Sequence, residues 1–296
     1  MSARPVIAGI GEVLWDVYPD AAHFGGAPAN FACHAASLGA ESWVVSAVGA
    51  DELGDRAADT LRARGVECRH VSRDALHATG RVLVTLDGES RASYEFAADT
   101  AWDHLAWSDD LAALAGRCDA VCFGTLGQRS SVSRETIRRF VEATPRTALR
   151  VFDVNLRQRF YDAETIQASL QIASALKLND EELPIVAEMC GIRATTPREI
   201  LIALSARYEL RLAALTRGPR GSLLLAGGEE DECIAPPTTV VDTVGAGDAF
   251  TATLVAGFLR GVPLPVLNSR ANSVASFVCS QKGATPPLPG ALLEFT

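Results

Sequence analysis

The sequence predicts an α/β fold in which a mostly parallel, doubly wound sheet has helices on both faces. The main observation is that short apolar runs alternate with segments of helical periodicity along most of the chain, which is typical of βαβ units. The composition, with 48% hydrophobic and 21% charged residues, is that of a soluble globular protein able to bury a sizeable core. One segment near residue 90 breaks the alternation and indicates a separate small β element.

The regular part of the chain consists of strands joined by helical crossovers, which should be right-handed. Residues 248–259 continue the helical pattern, and Gly261 and Pro263 end it. The predicted strands are 6–11, 43–49, 120–124, 149–155, 175–179, 212–218 and 222–228, and the helices between them include 28–38, 54–64, 133–143, 163–174 and 196–208.

The irregular part is a predicted hairpin. Residues 80–86 and 91–96 are two strand-like runs joined by the polar turn "DGES", and no helix follows either of them. Together with residues 12–24, the segment 80–101 is expected to form a small β lid. Because no Pro/Ser-rich linker or internal repeat occurs, residues 1–296 are predicted to form a single domain.

Charge and composition argue against several kinds of partner and site. A net charge of −9 argues against nucleic acid or an anionic membrane as a partner, and no apolar run approaches the roughly 20 residues that span a bilayer. The seven scattered cysteines indicate free thiols in a reducing cytoplasm. The five histidines show no metal-ligand spacing, which argues against a zinc site.

The stretch "VVDTVGAGDAF" places three small residues and Asp248 at the start of a helix. An acid in a first turn is stabilised by about 0.3–1 kcal/mol through the helix dipole, but this does not explain the small residues. Gly245, Ala246 and Gly247 would let the backbone approach an anion, and their amide groups would bind it. Asp248 could then take the proton of an acceptor hydroxyl during phosphoryl transfer.

This stretch resembles the C-terminal signature D-T-x-G-A-G-D of the ribokinase/PfkB sugar kinases. The resemblance implies that Asp248 is the catalytic base and that the amides of Gly245, Ala246 and Gly247 form the anion hole. Residues 24–54 resemble the N-terminal signature of the same family, so that Gly25, Gly26 and Asn30 are expected to contact the sugar. Fructokinase-like members commonly have proline before the glycine pair, where this chain has Phe24.

Further sugar contacts are expected from the lid and from one strand end. Asp16 matches an aspartate that binds sugar hydroxyls in the family. Tyr94 and Phe96 are candidates for covering the sugar, although ordinary alternation in a strand explains them equally well. The run "DVNLRQRF" resembles fructokinase-like and ketodeoxygluconate-kinase-like members, and its Arg157 is expected to contact a substrate carboxylate, a phosphate or only Asp153.

The resemblance also implies ATP and Mg²⁺ as cofactors. "KLNDEE" resembles an N-x-x-E motif for Mg²⁺ and phosphate, "TRGPRGS" resembles the nucleotide loop, and residues 271–289 supply one wall of an adenine pocket. Asp242 and the loop around Gly283 correspond to a monovalent-cation (K⁺) site of some members. The predicted cofactor residues are Lys177, Asn179, Thr216, Gly218, Gly221 and Asn272, and the predicted metal residues are Glu182 and Asp242.

The expected reaction is transfer of the ATP γ-phosphate to a hydroxyl of a small sugar. Fructose is the first choice because "GGAPAN" and "DVNLR" occur together. Ribose, 2-keto-3-deoxygluconate and nucleosides are the alternatives within the family. A non-catalytic regulator that binds sugar or nucleotide is a further alternative, but it should have lost the base or the glycines. Pairing of lid strands predicts a homodimer.

Overall fold

The main sheet of the protein is nine-stranded and is largely parallel. The computed structural model describes residues 4–86 and 92–295, so the predicted turn at 87–90 lies outside the described residues. Strand order in the main sheet is β13-β12-β11-β10-β9-β8-β1-β4-β5. The strands, in chain order, are β1 (Val6–Ile10), β2 (Leu14–Val17), β3 (Ala22–Gly25), β4 (Glu41–Gly49), β5 (Val71–Asp74), β6 (Gly80–Leu86), β7 (Ala92–Phe96), β8 (Ala120–Phe123), β9 (Leu149–Asp153), β10 (Ala175–Asn179), β11 (Leu212–Thr216), β12 (Ser222–Ala226) and β13 (Glu229–Cys233).

Helices cover both faces of this sheet. One apolar core packs α3 to α7 against one face, and another packs α1, α8 and α9 against the opposite face. The sheet is therefore buried on both sides, as the apolar strands require. The helices are α1 (Ala27–Ser37), α2 (Glu52–Ala63), α3 (Asp109–Ala115), α4 (Ser131–Ala143), α5 (Ala163–Ile172), α6 (Glu182–Met189), α7 (Pro197–Arg207), α8 (Ala246–Leu259), α9 (Leu264–Cys279) and α10 (Gly290–Leu293).

The strand order reverses direction at β1. The chain proceeds outward from β1 to β4 and β5 on one side, and then returns to place β8 on the other side of β1. In such sheets ligands bind outside the carboxyl ends of the strands at the reversal point. The strands β1, β8, β9, β10 and β11 are mutually parallel, so their carboxyl ends lie at one edge.

The irregular segment forms a second sheet of four strands in the order β3-β2-β6-β7. β2 and β6 are parallel, and the outer pairs are antiparallel. The predicted fold class, a doubly wound sheet plus a small β element, is thus confirmed. The sequence prediction missed β5, the acidic edge strand β13 and helix α9. Within the described ranges, none of the helices has both the length and the apolar character needed to cross a bilayer.

Candidate active site

Helix α8 begins at the carboxyl edge of the sheet with a backbone that only glycine adopts readily. Gly245 has φ of 79°, and a Cβ added there would lie 2.3 Å from the carbonyl oxygen of Ala284. The amide of Ala246 donates to Thr243 O at 3.3 Å. Among the described residues, the amides of Gly247 and Asp248 have no acceptor. The helix therefore presents unpaired donors at its positive end, where they can bind an anion.

Asp248 lies in the first turn of α8, and its carboxylate accepts a hydrogen bond from Asn30 of α1. Asn30 Nδ2 is 2.9 Å from Asp248 Oδ2, across 218 positions of sequence. Burial, and then the charge of Asp153, raise the pKa of Asp248 to about 6, while the Asn30 hydrogen bond and the charge of Lys177 act in the opposite direction. A carboxylate with this pKa is mostly ionised at neutral pH and is still basic enough to accept a proton.

A buried ion pair lies directly beneath the start of α8. Lys177 Nζ is 3.0 Å from Asp153 Oδ1, and Thr251 of α8 donates to the other Asp153 oxygen at 2.8 Å. A Cβ added at Gly247 would lie 3.0 Å from Lys177 Nζ, so the ammonium group is next to the glycine backbone. Burial lowers the pKa of Lys177, but the attraction of Asp153, Glu182 and Asp248 outweighs burial and raises it. The lysine is therefore positively charged at this helix start.

Glu12, at the end of β1, is a buried acid that the sequence prediction did not select. Only 3% of the residue is exposed; its Oε1 accepts from the amide of Ala27 at 3.3 Å, and its Oε2 has no partner among the described residues. Burial raises the pKa of Glu12 to about 7. The backbone of Glu12 also fixes the predicted glycine turn, because a Cβ at Gly26 (φ 107°) would lie 2.4 Å from Glu12 O.

Of the predicted sugar residues, Asn30 contacts the start of α8 through Asp248, and Asp16 lies beside Gly25. Asp16 Oδ2 is 3.3 Å from the position of a Cβ on Gly25, so a side chain there would crowd the carboxylate. Burial raises the pKa of Asp16, although the charge of Arg157 counteracts part of the shift. Asn30 is buried and its Oδ1 has no hydrogen-bond partner within the described part of the chain. That oxygen is an unsatisfied buried acceptor on the side chain that contacts Asp248.

Arg157 follows β9 and is exposed. Its Nη1 donates to Leu156 O at 3.1 Å, whereas Asp153 is paired with Lys177 and Thr251. The hydrogen-bond partners of Asp153 among the described residues are thus Lys177 and Thr251, and the positive charge of Arg157 acts on Glu12 and Asp248.

Tyr94 of β7 lies at the small sheet and is 51% exposed. Its carbonyl oxygen accepts from Gln158 Nε2 at 2.6 Å, which connects β7 with the loop that follows β9. This backbone contact brings the small sheet to the loop that contains Arg157, while the phenol ring itself remains largely accessible.

The N-x-x-E residues connect two strand ends through backbone amides. Asn179 Oδ1 accepts from the amides of Glu181 and Glu182 at 2.9 Å each. The Glu182 oxygens accept from Asn179 N at 2.8 Å and from Leu156 N at 2.9 Å. Both oxygens of this buried carboxylate are thus hydrogen-bonded to the protein, and the contact fixes the end of β10 against the loop after β9.

The predicted nucleotide loop is a tight turn between β11 and β12. Gly218 and Gly221 have φ of 56° and 80°, and a Cβ at Gly221 would lie 1.8 Å from Cys233 O. Thr216 Oγ1 donates to Leu178 O at 3.4 Å. Asn272 lies in the interior, where its side-chain nitrogen donates to Ser222 Oγ at 2.7 Å. The structure thus places Asn272 in a buried polar cluster of α9 and β12.

Asp242 joins the two loops that precede and face α8. Its oxygens accept from the amides of Val244 and Gly283, each at 3.0 Å. His34 of α1, which the sequence prediction also missed, is buried, and its Nε2 lies 2.9 Å from Ala284 O. Burial lowers the pKa of His34 to about 4, so the neutral ring donates this hydrogen bond. The loop at 283–284 is therefore fixed against Gly245.

Comparison with known proteins decides the family. Residues 20–291 match the profile of the pfkB family carbohydrate kinases. The chain belongs to the pfkB family of carbohydrate kinases. This pfkB-family chain is 30% identical over 299 residues to a fructokinase of Klebsiella pneumoniae, with 95% of each chain covered.

Solved structures agree with this family. An uncharacterized sugar kinase from Pyrococcus horikoshii in complex with ATP has a TM-score of 0.81 and 29% identity, with 94% of each chain covered. A putative ribokinase II from E. coli in complex with ATP and Mg²⁺ has a TM-score of 0.83, with 96% of this chain and 95% of that chain covered. At 21% identity the latter likeness shows the fold alone. The protein is thus a pfkB-family carbohydrate kinase with a ribokinase-like fold.

Proposed function

We propose that the protein transfers the γ-phosphate of ATP to a hydroxyl of a small sugar, with Asp248 as the base. The observation that carries this proposal is the placement of an Asp248 carboxylate beside the unpaired amides at the start of α8. The carboxylate accepts the hydroxyl proton as the oxygen attacks phosphorus. The amides and the adjacent Lys177 ammonium stabilise the charge that spreads over the transferred group.

Mg²⁺ would supply charge neutralisation on the ATP phosphates when it is bound. Magnesium keeps several waters and uses few protein carboxylates. Glu182 fits a contact through water, because both of its oxygens already accept backbone amides. Asp242 fits a role in ordering a monovalent-cation loop with Gly283, since one of its oxygens accepts the Gly283 amide. Thr216, Gly218 and Gly221 lie on the loop proposed to bind the nucleotide.

Fructose is the leading sugar. The unpaired Asn30 Oδ1 and the Asp16 carboxylate are the proposed acceptors for sugar hydroxyls, and the glycines at 25 and 26 let the backbone turn closely against Asp16 and Glu12 O. The similarity to the Klebsiella fructokinase supports the same choice. We take residues 1–296 as one domain, with 12–24 and 80–101 as a lid that closes over the sugar and excludes water. Homodimer formation through the lid strands remains part of this proposal.

A sugar acid such as 2-keto-3-deoxygluconate is the second candidate. The observation that favours it is the exposed Arg157 guanidinium, whose charge acts on Asp16 and Asp248 and which donates to Leu156 O. A planar guanidinium can bind a carboxylate through two parallel N–H···O hydrogen bonds.

An acceptor screen tests the proposal. ADP release and product mass are measured with ATP, Mg²⁺ and, in turn, fructose, ribose, 2-keto-3-deoxygluconate and nucleosides, for the wild type and for Arg157→Met. Phosphorylation of fructose that is little changed by Arg157→Met supports the leading choice. A sugar acid as the best acceptor, with a loss of about 10- to 100-fold in Arg157→Met, supports the second. A folded protein that phosphorylates no member of the panel contradicts the proposal.

A further inference from the structure

Two histidines and an aspartate that are separate in sequence come together at the base of the small sheet. The rings of His77 and His104 are stacked, with centroids 3.6 Å apart and an angle of 10° between their planes. Asp99 Oδ1 is 2.6 Å from His104 Nε2 and 4.0 Å from His77 Nε2. Across residues 4–86 and 92–295, this is the one group of three such ligand atoms that all lie within 4.8 Å of one another.

The contact of His77 with Asp74 identifies which ring nitrogen can bind a metal ion. His77 Nδ1 is 2.8 Å from Asp74 Oδ2, and a carboxylate can only accept, so Nδ1 carries the hydrogen. In the neutral ring Nε2 is then unprotonated and faces Asp99 Oδ1, which is also an acceptor. Two facing acceptors are favourable only with a proton or a metal cation between them, and a metal ion can also take His104 as a ligand. The Asp74–His77 contact is also the orientation that carboxylates impose on metal-binding histidines.

The chain around these residues is held in place independently of them. Ala101 N donates to Ala78 O at 2.9 Å, which pairs the segment entering β6 with the segment leaving β7. Arg129 donates to Asp103 at 2.6 Å and to Ala97 O at 2.7 Å. The backbone on both sides of Asp99 is therefore fixed by main-chain and ion-pair contacts, as a preformed ligand site requires.

We propose that His77, Asp99 and His104 form a binding site for a divalent transition metal ion such as Zn²⁺. Zinc binds imidazole nitrogen at about 2.0–2.1 Å and carboxylate oxygen at about 2.0–2.2 Å, with water in the remaining position of a tetrahedral site. Ligand atoms of such a site are about 3.3 Å apart, so the 2.6 Å distance must lengthen and the 4.0 Å distance must shorten, each by less than about 1 Å. The two rings must also tilt away from their parallel stack, so that both nitrogens converge on the ion. When the metal ion binds His104 Nε2, the proton on that nitrogen is released to solvent, or the neutral ring instead carries its proton on Nδ1.

The position of the site gives the ion a structural consequence. His77 precedes β6, whereas Asp99 and His104 follow β7. The ion would cross-link the chain segment that enters β6 with the chain segment that leaves β7. Sequence spacing did not indicate this site, because its ligands lie on either side of the β6–β7 excursion.

Cobalt titration tests the site, because Co²⁺ bound by nitrogen and oxygen ligands has visible absorption bands. Metal-depleted full-length protein, without nucleotide, is titrated with CoCl₂ and then back-titrated with ZnCl₂. We expect saturable bands that zinc abolishes in the wild type and in the control His23→Ala, an exposed histidine elsewhere on the small sheet. His77→Ala and His104→Ala should lose the bands while circular dichroism shows an intact fold.

Asp74→Asn provides a milder test that does not depend on removing a ring. The asparagine Oδ1 can still accept from the amides of Leu76 and His77, which Asp74 Oδ1 binds at 2.7 and 3.0 Å, but the amide nitrogen cannot accept from His77 Nδ1. We expect the cobalt affinity to fall about 10- to 100-fold. Bands absent from the wild type, or bands that persist at equal affinity in the His77, His104 and Asp74 variants, would overturn the proposal.

Discussion

The hydrogen bond from Asn30 to Asp248 should set the pH at which the enzyme loses activity in acid. A base must be deprotonated to act, so kcat/KM should fall below the Asp248 pKa of about 6. The Asn30 hydrogen bond favours the ionised form and lowers this pKa. Asn30→Ala should therefore move the acid limb of the pH profile to higher pH.

The size of the shift follows from the strength of the contact. A hydrogen bond to a charged group contributes about 1.5–3 kcal/mol, and one pH unit corresponds to about 1.4 kcal/mol. The limb should thus move up by about one to two pH units. Asn30→Asp should move it further, because a second carboxylate would then lie against Asp248.

The assay is kcat/KM for the sugar, measured by coupled ADP detection between pH 5 and 9 at saturating ATP. Because Asn30 is also proposed to bind the sugar, the readout is the position of the limb and not its height. The Glu12 carboxyl titrates at about 7 and its charge interacts with that of Asp248, so the series is repeated in Glu12→Gln. A limb that stays at the wild-type pH in Asn30→Ala, or moves to lower pH, would refute the reasoning.

Three further predictions concern stability and the start of α8. Burial raises the pKa of Glu12 from 4.5 to about 7, so the stability that the protonated side chain contributes is present below pH 4.5 and is lost as the pH rises through 7. Relative to Glu12→Gln, the wild type should therefore lose about 2–3 kcal/mol of unfolding free energy between pH 5 and 8, measured by urea titration. An equal pH dependence of the two proteins would contradict this. Lys177→Met should destabilise the protein by about 3–5 kcal/mol, because it leaves the Asp153 carboxylate buried without its cation. Adding Asp153→Asn to this variant should recover part of the lost unfolding free energy. Strictly additive losses in the same urea titrations would show that the two side chains do not form a stabilising ion pair. Gly245→Ala should lower kcat and the melting temperature far more than Gly261→Ala. Gly261 has a similar φ of 69°, but no atom lies within 4 Å of a Cβ added there. Comparable effects of the two substitutions would show that the contact of Gly245 with the loop at Ala284 is unimportant.

The residues that the sequence identified are those in contiguous motifs. Gly245 to Asp248 lie in one short stretch whose small residues indicate a backbone conformation that larger residues adopt poorly. The positive φ of Gly245 in the structure is such a conformation. The alternation of strands and helices was likewise readable, because burial on both faces leaves local apolar runs. The edge strand β13 was missed because its sequence, "EEDEC", is acidic and has no apolar face.

The remaining parts of the site depend on pairs that are distant in sequence. Asn30 and Asp248 are 218 positions apart, and Asp153 and Thr251 are 98 apart. The sequence prediction did not select Glu12, because a single acidic residue after a strand has no distinctive local pattern. Its functional interest comes from its burial in the folded protein, which the sequence alone does not show. Asn272 was selected from a local sequence segment, but the structure places its side-chain amide in a buried polar cluster with Ser222, and no local pattern reveals that contact.

Substitution of Asp248 by Asn tests the central claim most directly. The asparagine preserves the shape of the side chain at the start of α8 but cannot accept the hydroxyl proton. We expect the variant to bind ATP with an affinity close to that of the wild type by calorimetry, and its kcat on the best sugar to be lowered by about 10²- to 10⁴-fold. A variant that binds ATP and turns over sugar at a rate near that of the wild type would contradict this expectation.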